Sequence, residues 1–167
     1  DDGFGKLFFA ISYGTIFSTF INLGVNTYLT KQVAVFREGK DGGGAVAELI
    51  ANAFGLKLSL AVIVYLLQAG LIYLLPYDAA TRHTVLIVGA ATSIGSVTLT
   101  LAGVFQGFER LLPPNLGLVA EKAVTTGICT ALLLTGHGLI EVAWVYLVAA
   151  LVNLIIVALL LRRRLPL

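Results

Sequence analysis

Methionine is absent from the 167 residues of this chain, and cysteine occurs once, at Cys129. A lone cysteine excludes an internal disulfide and any multi-cysteine metal site. Within an apolar run it reads as a small core residue. Without an initiator methionine, the chain is expected to be a portion of a longer protein. Charge is also scarce: 12% of the residues are charged, against about 25% in soluble domains. The net charge is only +2, and no basic cluster is interleaved with aromatics, so nucleic acid is not an expected partner. His83 and His137 are far apart and have no cysteine beside them, so no metal site is expected. No HExxH, DxD, phosphate loop or nucleophile–base pair appears. Catalysis and a cofactor are therefore not expected. No basic leader or small-residue cleavage site marks the first apolar run as a signal peptide.

What the chain has in abundance is apolar length. It is 58% hydrophobic with a mean hydropathy of +0.95. About 20 mostly apolar residues cross the ~30 Å hydrocarbon core as a helix, and five segments qualify, at about 4–23, 45–75, 83–107, 116–135 and 139–161. The first helix is expected to continue towards Phe36. Pro113-Pro114 ends one helix, because proline offers no backbone donor, and suits the first turn of the next. We therefore expect an all-α integral membrane protein, a single bundle of five transmembrane helices over 1–167.

Orientation follows from lysine and arginine. Lys31, Arg37, Lys40, Arg110 and Arg162-Arg163-Arg164 fall on one side of the alternating spans, and only Lys6 and Arg82 on the other. Seven against two predicts an N-terminal end outside the cell membrane and a cytoplasmic C-terminal end. Tyr73, Tyr77, Trp144 and Tyr146 fit the outer interface.

Several polar residues stand out against this background. Ser12, Thr15, Ser18, Thr19, Asn22, Asn26 and Thr30 recur at helical spacing, which predicts a stripe turned to other helices or to a wet cavity. Asn22 and Asn26 flank Gly24, a candidate kink. Lys57 lies about a dozen residues into the second span. It either snorkels to the headgroups or provides a fixed cation for an anionic substrate. Lys122 divides the same way. Glu121 is an ion-coupling candidate or an interfacial ion-pair partner, and its direction, some 100° from Lys122, does not require the two to pair. Ala91, Gly95, Gly103 and Gly107, and separately Ala123, Gly127 and Ala131, form small-residue faces suited to close helix packing.

FGKLFFAISYGTIFSTFINLGVNTYLTKQVA, FQGFER (Phe105 to Arg110), VAEK (Val119 to Lys122) and GHGLIEVAWVYLVAALVNL, taken in order, resemble the polysaccharide-repeat flippases of the multidrug/oligosaccharidyl-lipid/polysaccharide exporter superfamily. The resemblance covers essentially the whole chain. It implies twelve to fourteen helices in two lobes around a central cavity, with this chain as helices two to six of the first lobe. It also implies exchange of a lipid-diphosphate-linked oligosaccharide across the cytoplasmic membrane, in several members driven by ions. Expected partners are then membrane lipids, the lipid-linked oligosaccharide and the remaining helices of the transporter. Lys57, Lys122, Asn22, Asn26, Thr19, Ser12 and Thr15 would contact substrate, and Glu121 the coupling ion. Two alternatives are a multidrug or peptidoglycan-precursor exporter of the same fold, and a non-transporting scaffold or remnant.

Overall fold

In a lipid phase every backbone N–H and C=O must be satisfied within the protein, which leaves helices and closed barrels. Apolar runs of about 20 residues match a spanning helix rather than a barrel strand of about 10. A computed structural model describes residues 2–22, 24–37, 42–110, 112–136 and 138–164. Its order is α1 (Asp2–Asn22), α2 (Val25–Arg37), α3 (Gly42–Leu74), α4 (Ala79–Gly107), α5 (Leu112–Leu134) and α6 (Leu139–Arg164). Five of these are long and apolar enough to cross a membrane, α2 being the exception. His137 and Lys40 lie outside the described residues.

The expected continuation of the first helix towards Phe36 is divided in two. Gly24 adopts φ +69°, a left-handed conformation that glycine takes without the Cβ clash. The Gly24 carbonyl then accepts from the Tyr28 N–H (3.0 Å) and starts α2. Pro113 and Pro114 sit in the first turn of α5 as expected, but they do not end α4. That helix stops at Gly107, before the prolines, with Phe108 as its C-cap and Glu109 in the left-handed region at φ 58°. The third span begins four residues earlier than expected, at Ala79, with Asp78 in the extended conformation of an N-cap.

α4 is the hub. It packs on α1, α2, α3 and α6, and 56% of its membrane window is buried, against 6% for α5. One apolar cluster joins Leu29 and Val33 of α2 to Val46 and Ile50 of α3, Val104 and Phe105 of α4, and Val157 and Leu161 of α6. A second joins Ala10, Ile72, Val85, Val88 and Ala143. The spans therefore alternate in direction. Lys31, Arg110, Arg162 and Arg163 belong to one end of the bundle, and Lys6, Asp78 and Glu141 to the other.

At the Asp78 end, the Lys6 ammonium of α1 pairs with the Asp78 carboxylate at 3.0 Å. The Thr81 hydroxyl also donates to Asp78. Together these hold the Asp78 carboxyl below its ordinary value, Thr81 contributing first and Lys6 second. The Arg82 guanidinium caps the Leu75 carbonyl (3.1 Å) and lies over the Tyr73 ring.

Lipid tails are as apolar as leucine, so close approach rather than water exclusion drives helix association. On α4 this occurs at Gly107, where a Cβ would come within 2.7 Å of the Val33 side chain. The small face expected on α5 is not used in this way. Ala123, Gly127 and Ala131 are exposed, and α5 turns Gly117, Glu121 and Thr125 inward instead. A Cβ on Gly117 would meet the Asn153 amide oxygen at 3.1 Å, so Gly117 is the close-approach residue on this helix.

Candidate functional site

The break at Gly24 leaves two amide side chains near one another, Asn22 in the last turn of α1 and Asn26 in the first turn of α2. Lys57 of α3 reaches them. Its ammonium donates to Asn22 Oδ1 at 3.0 Å and to Asn26 Oδ1 at 3.1 Å, and the residue is completely buried. Two of the three ammonium donors are thus met by neutral oxygens. Among the described residues no carboxylate pairs with it. Placing a lysine in mid-membrane costs at least about 2.5–3.5 kcal/mol, and the amides provide the local compensation. The snorkelling reading of Lys57 does not hold. The side chain turns into the bundle because oxygens at the helix break lie within reach.

α4 completes the cluster. Thr100 donates to Asn26 Oδ1 (3.1 Å), Asn22 Nδ2 donates to Ser96 Oγ (3.3 Å), and Ser96 donates to the Thr92 carbonyl (3.0 Å). Thr30 bridges α2 and α4 by donating to the Asn26 and Gly103 carbonyls, at 2.9 and 3.1 Å. Ser96 and Thr100 were not singled out in the sequence. Their four-residue spacing within an uncharged span was the available signal.

The rest of the stripe goes elsewhere. Thr15, Ser18 and Thr19 donate to carbonyls of their own helix, and Thr15 and Thr19 are exposed, while Ser12 is half-buried. α1 turns Ala10, Gly14 and Ile21 to its neighbours because Gly14 admits the Thr92 side chain; a Cβ there would lie 2.9 Å from Thr92 Oγ1. Small size, rather than polarity, chose the inner face.

Lys122 and Glu121 form a second polar group between α5 and α6, a helix pair to which Lys57 does not belong. Adjacent in sequence, they nevertheless pair, Lys122 Nζ to Glu121 Oε1 at 2.9 Å, because the lysine stem spans the angle between them. Lys122 is exposed. The other Glu121 oxygen accepts from Asn153 Nδ2. Asn153 and Thr125 are both buried. Asn153 and Glu121 line an apolar groove of about 390 Å³ between α5 and α6, with Trp144 in its wall. Asn153 went unnoticed in the sequence, although a single amide within the most apolar span is a detectable signal.

The family model described as polysaccharide biosynthesis protein matches residues 1–166. The chain belongs to that family. No curated protein and no solved structure matches it. As a member of the polysaccharide biosynthesis family with five membrane-length helices, it is a multi-pass membrane protein. The match spans all six helices, of which α1 to α4 assemble the Lys57 cluster. Among the described residues no group of histidine, cysteine and carboxylate side chains could hold a metal ion.

Proposed function

We propose that these helices form part of a flippase that moves a lipid-diphosphate-linked oligosaccharide across the cytoplasmic membrane, with its Arg162 end facing the cytoplasm. One observation carries this reading. Lys57 is a buried cation held by two amide oxygens, with no carboxylate partner among the described residues. Such a charge is not neutralised by its surroundings, and at low local dielectric it attracts a diphosphate more strongly than it would in water. The amides and hydroxyls around it match sugar hydroxyls in hydrogen-bonding capacity. A drug exporter would want aromatic and acidic residues at this position instead.

In the same reading Glu121 is the ion-coupling carboxylate, because it is a half-buried acid in a membrane span with a buried amide partner. Glu121→Gln then slows export and weakens its dependence on the ion gradient. Export insensitive to that change removes Glu121 from coupling.

The main test is export of lipid-linked glycan by the intact transporter at matched expression. Lys57→Ala abolishes it while membrane insertion is kept, and Lys57→Arg restores part of it, since charge matters more than fork geometry. Normal export by Lys57→Ala overturns the assignment.

A further inference from the structure

α5 and α6 come together at Gly117, where a Cβ would lie 3.1 Å from the Asn153 amide oxygen. The contact sets an acid against an amide at membrane depth. Glu121 Oε2 accepts from Asn153 Nδ2, and Glu121 Oε1 accepts from the Lys122 ammonium at 2.9 Å. Both carboxylate oxygens therefore act as acceptors, the state of an ionised acid. Two buried oxygens nearby have no hydrogen-bond partner, Asn153 Oδ1 and Thr125 Oγ1, in residues only 7% and 5% exposed. They lie to opposite sides of Glu121 along α5. Asn153 Oδ1 is beside Gly117, one turn before the acid, and Thr125 is one turn after it. Gly117 and Thr125 are about 12 Å apart along the helix, whereas the oxygens on a hard cation lie about 2.0–2.6 Å from it. The idle oxygens cannot share a metal ion. A proton needs only one of them.

We infer that the ion taken up by Glu121 is a proton, and that the Asn153 amide turns to receive it. A proton from water adds to Glu121 Oε2, which changes from acceptor to donor. A half-turn of the amide exchanges nitrogen for oxygen in nearly the same volume. The new O–H then donates to Asn153 Oδ1, and the amide nitrogen turns to Gly117. Lys122 keeps its charge and loses its partner, so the neutral pair becomes a cation. Its side chain is exposed, and its stem can carry the freed ammonium towards the headgroups. α5 packs on α6 and, at few points, on α4. Among the described residues α6 holds only Tyr146 as a titratable group between Glu141 and Arg162, and α4 holds none between His83 and Gly107. On α5 itself Lys122 touches the acid and Cys129 lies two turns away. The inference rests on Glu121 being the coupling carboxylate and is independent of Lys57.

The test is infrared difference spectroscopy of the intact transporter in detergent, acidified stepwise from neutral pH. The wild type gains the C=O band of a carboxylic acid and shifts a side-chain amide band with it. Glu121→Gln loses both changes. Asn153→Leu keeps the acid band at a different frequency and loses the amide change; Asn153→Ala serves the same end if that variant does not fold. Thr125→Val leaves both changes as in the wild type. The absence of any band that depends on Glu121, an unmoved band in the Asn153 variants, or a moved one in Thr125→Val overturns the assignment. So does a spectral change when sodium replaces choline at constant pH, which gives the site to a metal ion. The spectra need no substrate and so separate the two failures. Loss of the acid band removes the proton, whereas export unaffected by Glu121→Gln removes the coupling role.

Discussion

The ammonium of Lys57 and the amide oxygen of Asn22 lie 3.0 Å apart, a contact between the middle of one membrane helix and the broken end of another. Replacing the lysine by an apolar side chain of similar length removes the cost of holding a charge in mid-membrane. Asn26 Oδ1 keeps its bond from Thr100 in that case. Lys57→Met is therefore expected to unfold in detergent at the same temperature as the wild type or higher, while export is lost. A large drop in unfolding temperature would mean that the lysine serves stability rather than transport.

The converse change removes the partner and leaves the charge. Asn22→Ala takes one acceptor from a buried ammonium and is expected to destabilise by about 1–3 kcal/mol. Thermal unfolding of Asn22→Ala and of the double variant Asn22→Ala/Lys57→Met tests this. Most of the loss should be recovered in the double variant.

Gly24 is expected to resist substitution for a backbone reason alone. Its φ of +69° costs a residue with a Cβ about 1–2 kcal/mol, and no neighbour would crowd the added carbon. Gly24→Ala should lower the unfolding temperature and Gly24→Asn should lower it less, since asparagine tolerates the left-handed region better. Equal stability of all three would remove the helix break as a conformational requirement.

Orientation is tested by labelling. Cysteines at Asp78 and Gly138 should react with an impermeant thiol reagent from outside, and cysteines at Gly42 and Arg163 from the cytoplasmic side, in a Cys129→Ala background. Gly42 and Asp78 labelled from the same face would break the alternation of spans.

The Asp78 clamp gives a pH dependence. Its carboxyl is depressed below 3.8 by the Thr81 hydroxyl first and by Lys6 second. The stabilisation is complete above that ordinary value and is lost as pH falls through the lower folded value. Hydrogen exchange in the first turns of α1 should accelerate in acid below pH 3.8. Asp78→Asn should exchange quickly at neutral pH as well, with no further acid effect from this site.

The sequence alone determined the environment and the secondary structure. Apolar runs of about 20 residues with scarce charge match lipid-spanning helices, and glycine and proline mark where most of them stop or start. Which side of each helix faces inward was decided by the tertiary structure. Water gives a soluble helix a polar face to turn outward, but lipid does not distinguish one apolar face from another. Close approach at Gly14, Gly107 and Gly117 settled the matter instead, leaving Thr15 and Thr19 exposed and the Ala123–Gly127–Ala131 face unused. Lys57 was visible as an anomaly, but its partners, Asn22 and Asn26, lie on two other helices, either side of the interruption at Gly24. Asn153 reached Glu121 only because Gly117 lets α5 and α6 approach so closely. Such contacts join residues distant in sequence, and helical spacing within one segment does not encode them.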